Sequence, residues 1–137
     1  MSDGDGAAGF RIRHTMLRVA ELERSVKFYT GLLGMVEFRR REDDDELVCY
    51  VGYGDAEDAV HALELVQEKD HEGGFEMGNC YGHVALAVPD IYALSEELKK
   101  AGVKFPLPPR PLRPDSPNHV AFILDPDGYE IELTERH

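Results

Sequence analysis

The sequence predicts an α+β fold built from two copies of a βαβββ unit. Apolar residues first alternate at the spacing of a strand and then recur at the spacing of one helix face, and this order appears twice along the chain. A length of 137 residues, 42% of them hydrophobic and 31% charged, suits one domain and is too short for several. We expect a single domain over residues 10–137, with a first module over about 10–68 and a second over about 80–135.

The first module begins with a predicted strand and an amphipathic helix. The helix is predicted over residues 20–33, because apolar residues from Leu22 to Leu33 recur on one face and Gly34 follows as a stop signal. Short segments rich in β-branched and aromatic residues, separated by charged or glycine-containing stretches, indicate strands. The predicted strands of this module cover residues 10–19, 35–40, 47–53 and 60–66.

The second module repeats this order. Asp90 is a residue type that caps helices, and the apolar face that follows it, from Ile91 to Ala101, ends at Gly102. Six of the eight prolines fall in residues 106–117, which predicts a loop of extended character. The remaining predictions are a strand over 82–88, an edge strand over 103–107 and a hairpin of strands 119–124 and 129–134 around a turn at 125–128.

Composition argues against several functional classes. The net charge of -12 does not provide the attraction to phosphate on which nucleic-acid binders rely, so no nucleic-acid partner is expected. The chain contains no apolar stretch of about 20 residues, so we expect no membrane partner. Residues 1–9 are expected to form a flexible tail without the features of a signal peptide, and Cys49 and Cys80 are expected to be reduced thiols of a cytoplasmic protein.

Each module places one histidine on its first strand and one glutamate on its last. Glu64 lies 50 residues after His14, and Glu132 lies 49 residues after His83. Each glutamate is flanked by apolar residues that alternate with it, so it is expected to face away from the helix side of its sheet. If the first and last strands of a module are neighbours, each histidine can share a concavity with its glutamate.

This recurrence favours a metal site over an ordinary structural interpretation. A single strand histidine is more often a hydrogen-bonded structural residue, and a single strand glutamate usually belongs to a solvent face. Two imidazoles and two carboxylates at matched positions form a mixed nitrogen and oxygen ligand set that suits an octahedral divalent ion. The sequence therefore predicts metal ligation by His14, Glu64, His83 and Glu132.

The motifs around these residues resemble those of the glyoxalase I family, the lactoylglutathione lyases of the vicinal oxygen chelate superfamily. The similar stretches span nearly the whole chain, from about residue 11 to residue 135. They are HTMLRV at 14–19, SVKFY at 25–29 with LGM at 33–35, VGYG at 51–54, LEL at 63–65, YGHVA at 81–85 and DPDGYEIEL at 125–133.

This resemblance implies a fold, an assembly and a cofactor. The paired modules would form a cupped mixed sheet, and two chains would form a homodimer whose metal sites take first-module ligands from one chain and second-module ligands from the other. The four residues predicted as ligands occupy the positions of the family's metal ligands. The short chain is more similar to the nickel- or cobalt-activated group, which favours Ni²⁺ or Co²⁺, with Zn²⁺ as the fallback.

The resemblance also implies a reaction. The substrate would be the hemithioacetal of methylglyoxal and a thiol such as glutathione, isomerised to S-D-lactoylglutathione in methylglyoxal detoxification. Glu132 is the candidate base that removes the carbon-bound proton, and Glu64 is its symmetric counterpart, which returns a proton to the neighbouring carbon. Arg18 matches a position that contacts a carboxylate of glutathione, and Arg113 is the candidate for a second carboxylate contact in the proline-rich loop.

One residue departs from the family pattern and leaves alternatives open. The family usually has Asn four residues after the first metal glutamate, where this chain has Glu68. Either Gln67 substitutes through a change of register, or the thiol differs from glutathione, as a cationic thiol would. Other open alternatives are another enzyme of the superfamily, such as an epimerase or thiol transferase, and a noncatalytic binding protein.

Overall fold

The computed structural model describes residues 6–137 and confirms the repeated βαβββ order. Of the predicted tail over residues 1–9, residues 1–5 lie outside the described residues. The first module contains β1 (His14–Arg18), α1 (Leu22–Val26), a π-helix (Lys27–Leu32), β2 (Val36–Glu42), β3 (Glu46–Gly52), a 3-10 turn (Glu57–Ala59) and β4 (Ala62–Glu68). The second contains β5 (Val84–Ala87), α2 (Ile91–Lys100), β6 (Leu107–Pro111), β7 (His119–Leu124) and β8 (Glu130–Glu135).

The eight strands form two four-stranded mixed sheets of the same topology. Their strand orders are β1-β4-β3-β2 and β5-β8-β7-β6. In each sheet the first and last strands of the module pair in parallel, and the other pairs are antiparallel. This arrangement brings the histidine at the start of each module next to the glutamate at its end. Among residues 6–137, β1 and β5 also lie at an edge of their sheets, each paired with a strand on one side only.

The first helix is shorter and wider than the predicted helix over residues 20–33. Its α-helical part begins at Leu22. The turns that follow are π-helical, with backbone hydrogen bonds that span five residues instead of four, such as that from Leu33 N to the Phe28 carbonyl at 3.2 Å. The Thr30 hydroxyl donates to the Val26 carbonyl at 2.7 Å, a contact that competes with the regular backbone ladder. The second helix agrees with its prediction, because the Asp90 carboxylate accepts from Ala93 N at 3.0 Å.

The edge strand of the second sheet is where the prediction was wrong. Of the expected strand over residues 103–107, only Leu107 lies in a strand, because β6 occupies Leu107–Pro111, inside the predicted loop. Proline lacks an N–H but has a φ compatible with extended backbone, so it is tolerated on an edge strand. The register of β6 against β7 shifts between Leu107 and Arg110, as expected for such a strand. The first strand also begins at His14 rather than at residue 10.

A single apolar core joins the helices to one face of both sheets. The residues that flank the two glutamates, Leu63 and Leu65 in β4 and Ile131 and Leu133 in β8, are all buried in this core. This confirms the predicted helix side of each sheet. The opposite face of the first sheet carries a small separate cluster of Val48, Tyr50 and Val66, against which Phe38 packs. Glu64 therefore projects from the face that the helices leave open.

The two cysteines differ in their burial. Cys49 is buried and Cys80 is exposed, and both are free thiols, as predicted. Burial raises the pKa of the Cys49 thiol to about 11. Among residues 6–137, no helix has the length and hydropathy needed to cross a bilayer.

A buried carboxylate connects the two modules. Asp125 accepts hydrogen bonds from the backbone N–H groups of Asp127 and Tyr129, both at 2.9 Å, and from the hydroxyl of Tyr29 at 2.6 Å. Burial raises the pKa of Asp125, while the hydrogen bond from Tyr29 opposes that rise. Because Tyr29 belongs to the first module and Asp125 to the second, this contact fastens one module to the other.

We expect Tyr29→Phe to destabilise the protein by about 1–3 kcal/mol at pH 7, because a buried carboxylate oxygen loses its donor. The substitution raises the folded pKa of Asp125 further above its unfolded value, so the penalty is present at neutral pH and is lost as the pH falls and Asp125 is protonated. Urea unfolding at pH 7 and pH 4 measures both effects. Tyr92→Phe, at an exposed tyrosine, is the control and should change stability by less than about 0.5 kcal/mol. A cost equal at both pH values would contradict this prediction.

Candidate metal centre

The first histidine and glutamate pair lies on adjacent strands of the first sheet. His14 begins β1 and Glu64 is the third residue of β4, two positions beyond the partner of His14 in the parallel register. Nε2 of His14 is 3.4 Å from Oε1 of Glu64. The side chains are 31% and 12% exposed, so the carboxylate is largely buried while the imidazole reaches the surface.

The second pair repeats this geometry in the second sheet. His83 directly precedes β5, and Glu132 lies in β8, opposite Ala85 in the parallel register. Nε2 of His83 is 3.5 Å from Oε1 of Glu132. Here the side chains are 41% and 23% exposed, so this pair is more open to solvent than the first. The structure thus brings together the two members of each predicted pair.

The chemistry and spacing of the donors fit a divalent metal ion. Two ligands bound to one ion at about 2.1 Å and at right angles lie about 3 Å apart, close to the separation within each pair. The Nδ1 atom of His14 is buried and has no hydrogen-bond partner among residues 6–137, whereas Nε2 lies 3.4 Å from the Glu64 carboxylate, so Nε2 is the ring nitrogen available to bind a metal ion. Residues 6–137 of one chain contain no group of three or more potential ligands, so each pair supplies only half of the predicted set.

Glu64 is held by residues that the sequence interpretation did not identify. The Tyr50 hydroxyl donates to Oε2 of Glu64 at 2.5 Å, and Nη2 of Arg41 lies 3.7 Å from the same oxygen. The Tyr50 ring also contacts the His14 imidazole edge to face, with 5.6 Å between ring centroids. The guanidinium of Arg39 lies over the Tyr50 ring, 4.0 Å from its centroid.

The second pair has an apolar neighbour at the corresponding place. Phe122 in β7 is opposite Glu132, just as Tyr50 in β3 is opposite Glu64. The Phe122 ring contacts the His83 imidazole with 5.2 Å between centroids, but it carries no hydroxyl group. Across residues 6–137, no side chain donates a hydrogen bond to the carboxylate of Glu132. Its polar neighbour is Nε2 of His83, at 3.5 Å.

Arg18 lies on the same face as His14, and its charge is already paired. Its Nε donates to Oε1 of Glu68 at 2.9 Å, and both side chains are about half exposed. Gln67 points to the other side of β4, where its amide oxygen accepts from Leu22 N at 2.7 Å at the start of α1. The regular register of β1 and β4 therefore places Glu68 rather than Gln67 beside Arg18.

Arg113 is not brought into contact with either pair. It lies in the exposed turn after β6, where its carbonyl accepts from Ser116 N at 2.9 Å. Within the described part of the chain, its side chain forms no hydrogen bond or ion pair. Its predicted role as a contact for a substrate carboxylate stays a prediction.

The chain is similar to proteins of one superfamily over most of its length. The model of the family described as Glyoxalase/Bleomycin resistance protein/Dioxygenase superfamily matches residues 11–133. A probable lactoylglutathione lyase of Vibrio cholerae is 40% identical over 127 residues, which cover 91% of this chain and 90% of that protein. A lactoylglutathione lyase of Neisseria meningitidis is 39% identical over 128 residues, which cover 92% of this chain and 91% of that protein.

Solved structures of similar proteins have the same fold. Glyoxalase I from Zea mays superposes with a TM-score of 0.85 at 34% identity, covering 92% of this chain. The match spans only 44% of the maize chain, so this chain is less than half as long as that protein's. The trypanothione-dependent glyoxalase I of Leishmania major superposes with a TM-score of 0.79 at 34% identity, covering 92% of this chain and 86% of that one.

Proposed function

The chain belongs to the glyoxalase/bleomycin resistance protein/dioxygenase superfamily, and we infer that it acts as a glyoxalase I, a carbon-sulfur lyase. It isomerises the hemithioacetal of methylglyoxal and a glutathione-type thiol to the S-D-lactoyl thioester. The observation that carries this conclusion is the pair of matched histidine and glutamate sites in a chain about 40% identical to lactoylglutathione lyases. A noncatalytic binding protein would have no need for both pairs.

His14, Glu64, His83 and Glu132 would hold one divalent metal ion per site. Imidazole and carboxylate donors with places left for water suit Ni²⁺ or Co²⁺, which we favour, and Zn²⁺ is the fallback. When bound, the ion would supply Lewis-acid polarisation of the two adjacent oxygens of the substrate. The chain's own contribution is to hold Nε2 and Oε1 close together within each pair, at 3.4 Å in the first and 3.5 Å in the second.

The site is proposed to form between two copies of the chain. One chain supplies two pairs but no group of three ligands among its described residues, so a four-ligand site needs the pairs of different chains to meet. The unpaired edges of β1 and β5 are available for contact with a second copy. Both observations support a homodimer with two equivalent sites.

The two glutamates would move the protons. Glu132 accepts the proton bound to the hydroxyl-bearing carbon of the hemithioacetal, and Glu64 gives a proton to the neighbouring carbonyl carbon. The hydroxyl proton passes from the oxygen of the first carbon to the oxygen of the neighbouring carbon, so the product has the same atoms as the substrate, and the two carboxyl groups exchange protons with water between turnovers. The free thiols of Cys49 and Cys80 fit a reducing, cytoplasmic location, which is part of the proposal.

Metal reconstitution tests this function. We expect metal-stripped protein to be inactive with methylglyoxal and glutathione, and addition of Ni²⁺ or Co²⁺ to restore activity more fully than Zn²⁺. The thioester product is followed by its ultraviolet absorbance. Full activity of the stripped protein, or stoichiometric metal uptake without isomerisation, would contradict the proposal.

The ion pair of Arg18 with Glu68 bears on which thiol is used. A carboxylate of glutathione that binds Arg18 must compete with Glu68 and is repelled by it. This observation favours a second candidate, a glyoxalase whose thiol is cationic. The Leishmania major enzyme similar to this chain is itself trypanothione-dependent.

We expect Glu68→Asn to lower KM for the glutathione hemithioacetal about fivefold and to change kcat less than about twofold, as loss of about 1 kcal/mol of competition predicts. Glu96→Asn removes the same charge from an exposed position on α2 and should change neither constant. A raised or unaltered KM in Glu68→Asn would show that Glu68 does not oppose glutathione and would remove the argument for a cationic thiol. Steady-state kinetics with several thiols complete the test.

A further inference from the structure

The two proposed metal carboxylates have unequal surroundings at corresponding positions. Oε2 of Glu64 accepts from the Tyr50 hydroxyl at 2.5 Å and lies 3.7 Å from Arg41. Glu132 faces the ring of Phe122 across the equivalent strand pair. One carboxylate therefore has a fixed donor behind it, and the other has none among the described residues.

From this difference we propose that Tyr50 is a positioning residue that fixes Glu64 in place, while Phe122 leaves Glu132 free to move during the reaction. The inference deepens the proposed function and rests on it. It divides the two symmetric glutamates into a stationary group and a mobile one.

Burial makes the anchor at Glu64 effective. As whole residues, Tyr50 is 4% exposed and Glu64 is 9% exposed, so water cannot easily replace the hydroxyl if the carboxylate turns away. Rotation of Glu64 would therefore leave a buried hydroxyl and a buried carboxylate oxygen without partners.

The Tyr50 ring is itself held on two sides. The His14 imidazole packs against it edge to face, and the Arg39 guanidinium lies over it at 4.0 Å from the centroid. Arg39 is fixed in turn by Glu57, whose Oε1 accepts from its Nε at 2.6 Å. The orientation of both first-module ligands thus depends on one tyrosine, as is typical of groups that orient metal ligands from behind.

Glu132 lacks these constraints. Its side chain is about twice as exposed as that of Glu64, 23% against 12%. In β6 the residue opposite Phe122 is Leu107, whereas in β2 the residue opposite Tyr50 is Arg39. At the position that Arg39 occupies beside the tyrosine, the phenylalanine therefore has an apolar residue. Movement of Glu132 breaks no hydrogen bond within the described residues.

Binding of Co²⁺ alone to metal-free protein, measured by calorimetry, tests the first half of the proposal without any catalysis. We expect Tyr50→Phe to weaken Co²⁺ binding about 10- to 100-fold, because Glu64 loses its orienting donor. Tyr53→Phe is the matched control and should bind Co²⁺ as the wild type does, because the Tyr53 hydroxyl donates to the Leu33 carbonyl instead. Circular dichroism establishes that each variant is folded.

The reciprocal variant, Phe122→Tyr, tests the second half. The added hydroxyl is expected to restrain Glu132, so that kcat falls about tenfold or more while KM changes less than about threefold and Co²⁺ binding is retained. Unchanged Co²⁺ affinity in Tyr50→Phe, or unchanged kcat in Phe122→Tyr, would overturn the inference while leaving the proposed function intact. A wild-type protein that takes up no Co²⁺ would overturn the metal site itself and the inference with it.

Discussion

The variant Glu132→Gln is expected to lose isomerase activity by about 10³-fold or more, because an amide cannot accept the substrate proton and general acid-base catalysis contributes about 10²- to 10⁴-fold. The fold should be unaffected. Gln has nearly the same volume as Glu, and no side chain among residues 6–137 other than His83 approaches this carboxylate as a polar partner. Initial rates and thermal unfolding, measured on the same preparation, check both expectations.

A neighbouring residue supplies the control. Glu130 lies two positions earlier in β8 and is exposed, so Glu130→Gln makes the same chemical change outside the pair and should retain wild-type activity. Turnover near the wild-type rate in Glu132→Gln would show that another group is the base. Equal losses in both variants would point to a general effect of charge on β8 rather than to proton transfer.

Two inactive variants are expected to restore activity when they are paired in one dimer. His14→Ala removes a first-module ligand and His83→Ala removes a second-module ligand, so each protein alone should lose more than about 100-fold of its activity. If each site joins modules of different chains, a mixed dimer contains one intact site and one lacking both histidines. Mixed dimers isolated through two different affinity tags should therefore have about half of the wild-type activity.

The reciprocal pairing separates the two possible arrangements of the site. A chain carrying both substitutions, paired with a wild-type chain, should be inactive if sites are shared between chains, because each site then lacks one histidine. Sites formed within single chains would give the opposite pattern, with half activity in this pair and none in the first. Shared sites are expected because the described residues of one chain bring no more than two potential ligands together.

The ligand pairs could be predicted from the sequence because they depend on strand parity and on the internal repeat. The alternation of Leu63, Glu64 and Leu65 determines which face of β4 each side chain occupies, whatever the rest of the fold. Parallel pairing of the first and last strands then brings each histidine to its glutamate. Neither step required knowledge of loops or of side-chain conformation.

Tyr50 could not be found in the same way. The residues of β3 from Val48 to Gly52 are all buried, so this strand shows no alternation that would indicate which face a side chain occupies. Only the register of β3 against β4 places Tyr50 opposite Glu64. The edge strand β6 was missed for a different reason, since its prolines favour a loop unless the strand lies at an edge.

The role of Glu68 was only partly predictable. The sequence indicates an acidic residue where a substrate carboxylate is expected, and parity places it on the face of Arg18. The ion pair at 2.9 Å depends on side-chain conformations that the sequence does not specify. The structure changes the interpretation from simple repulsion to competition for one guanidinium.

The location of the bound ion tests the central claim most directly. Crystals of Co²⁺-loaded protein, measured at the cobalt absorption edge, should show one anomalous peak per chain, bounded by His14 and Glu64 of one copy and by the second pair, His83 and Glu132, of another. A peak elsewhere, or an ion that contacts only one of the two pairs, would contradict a metal centre built from both modules.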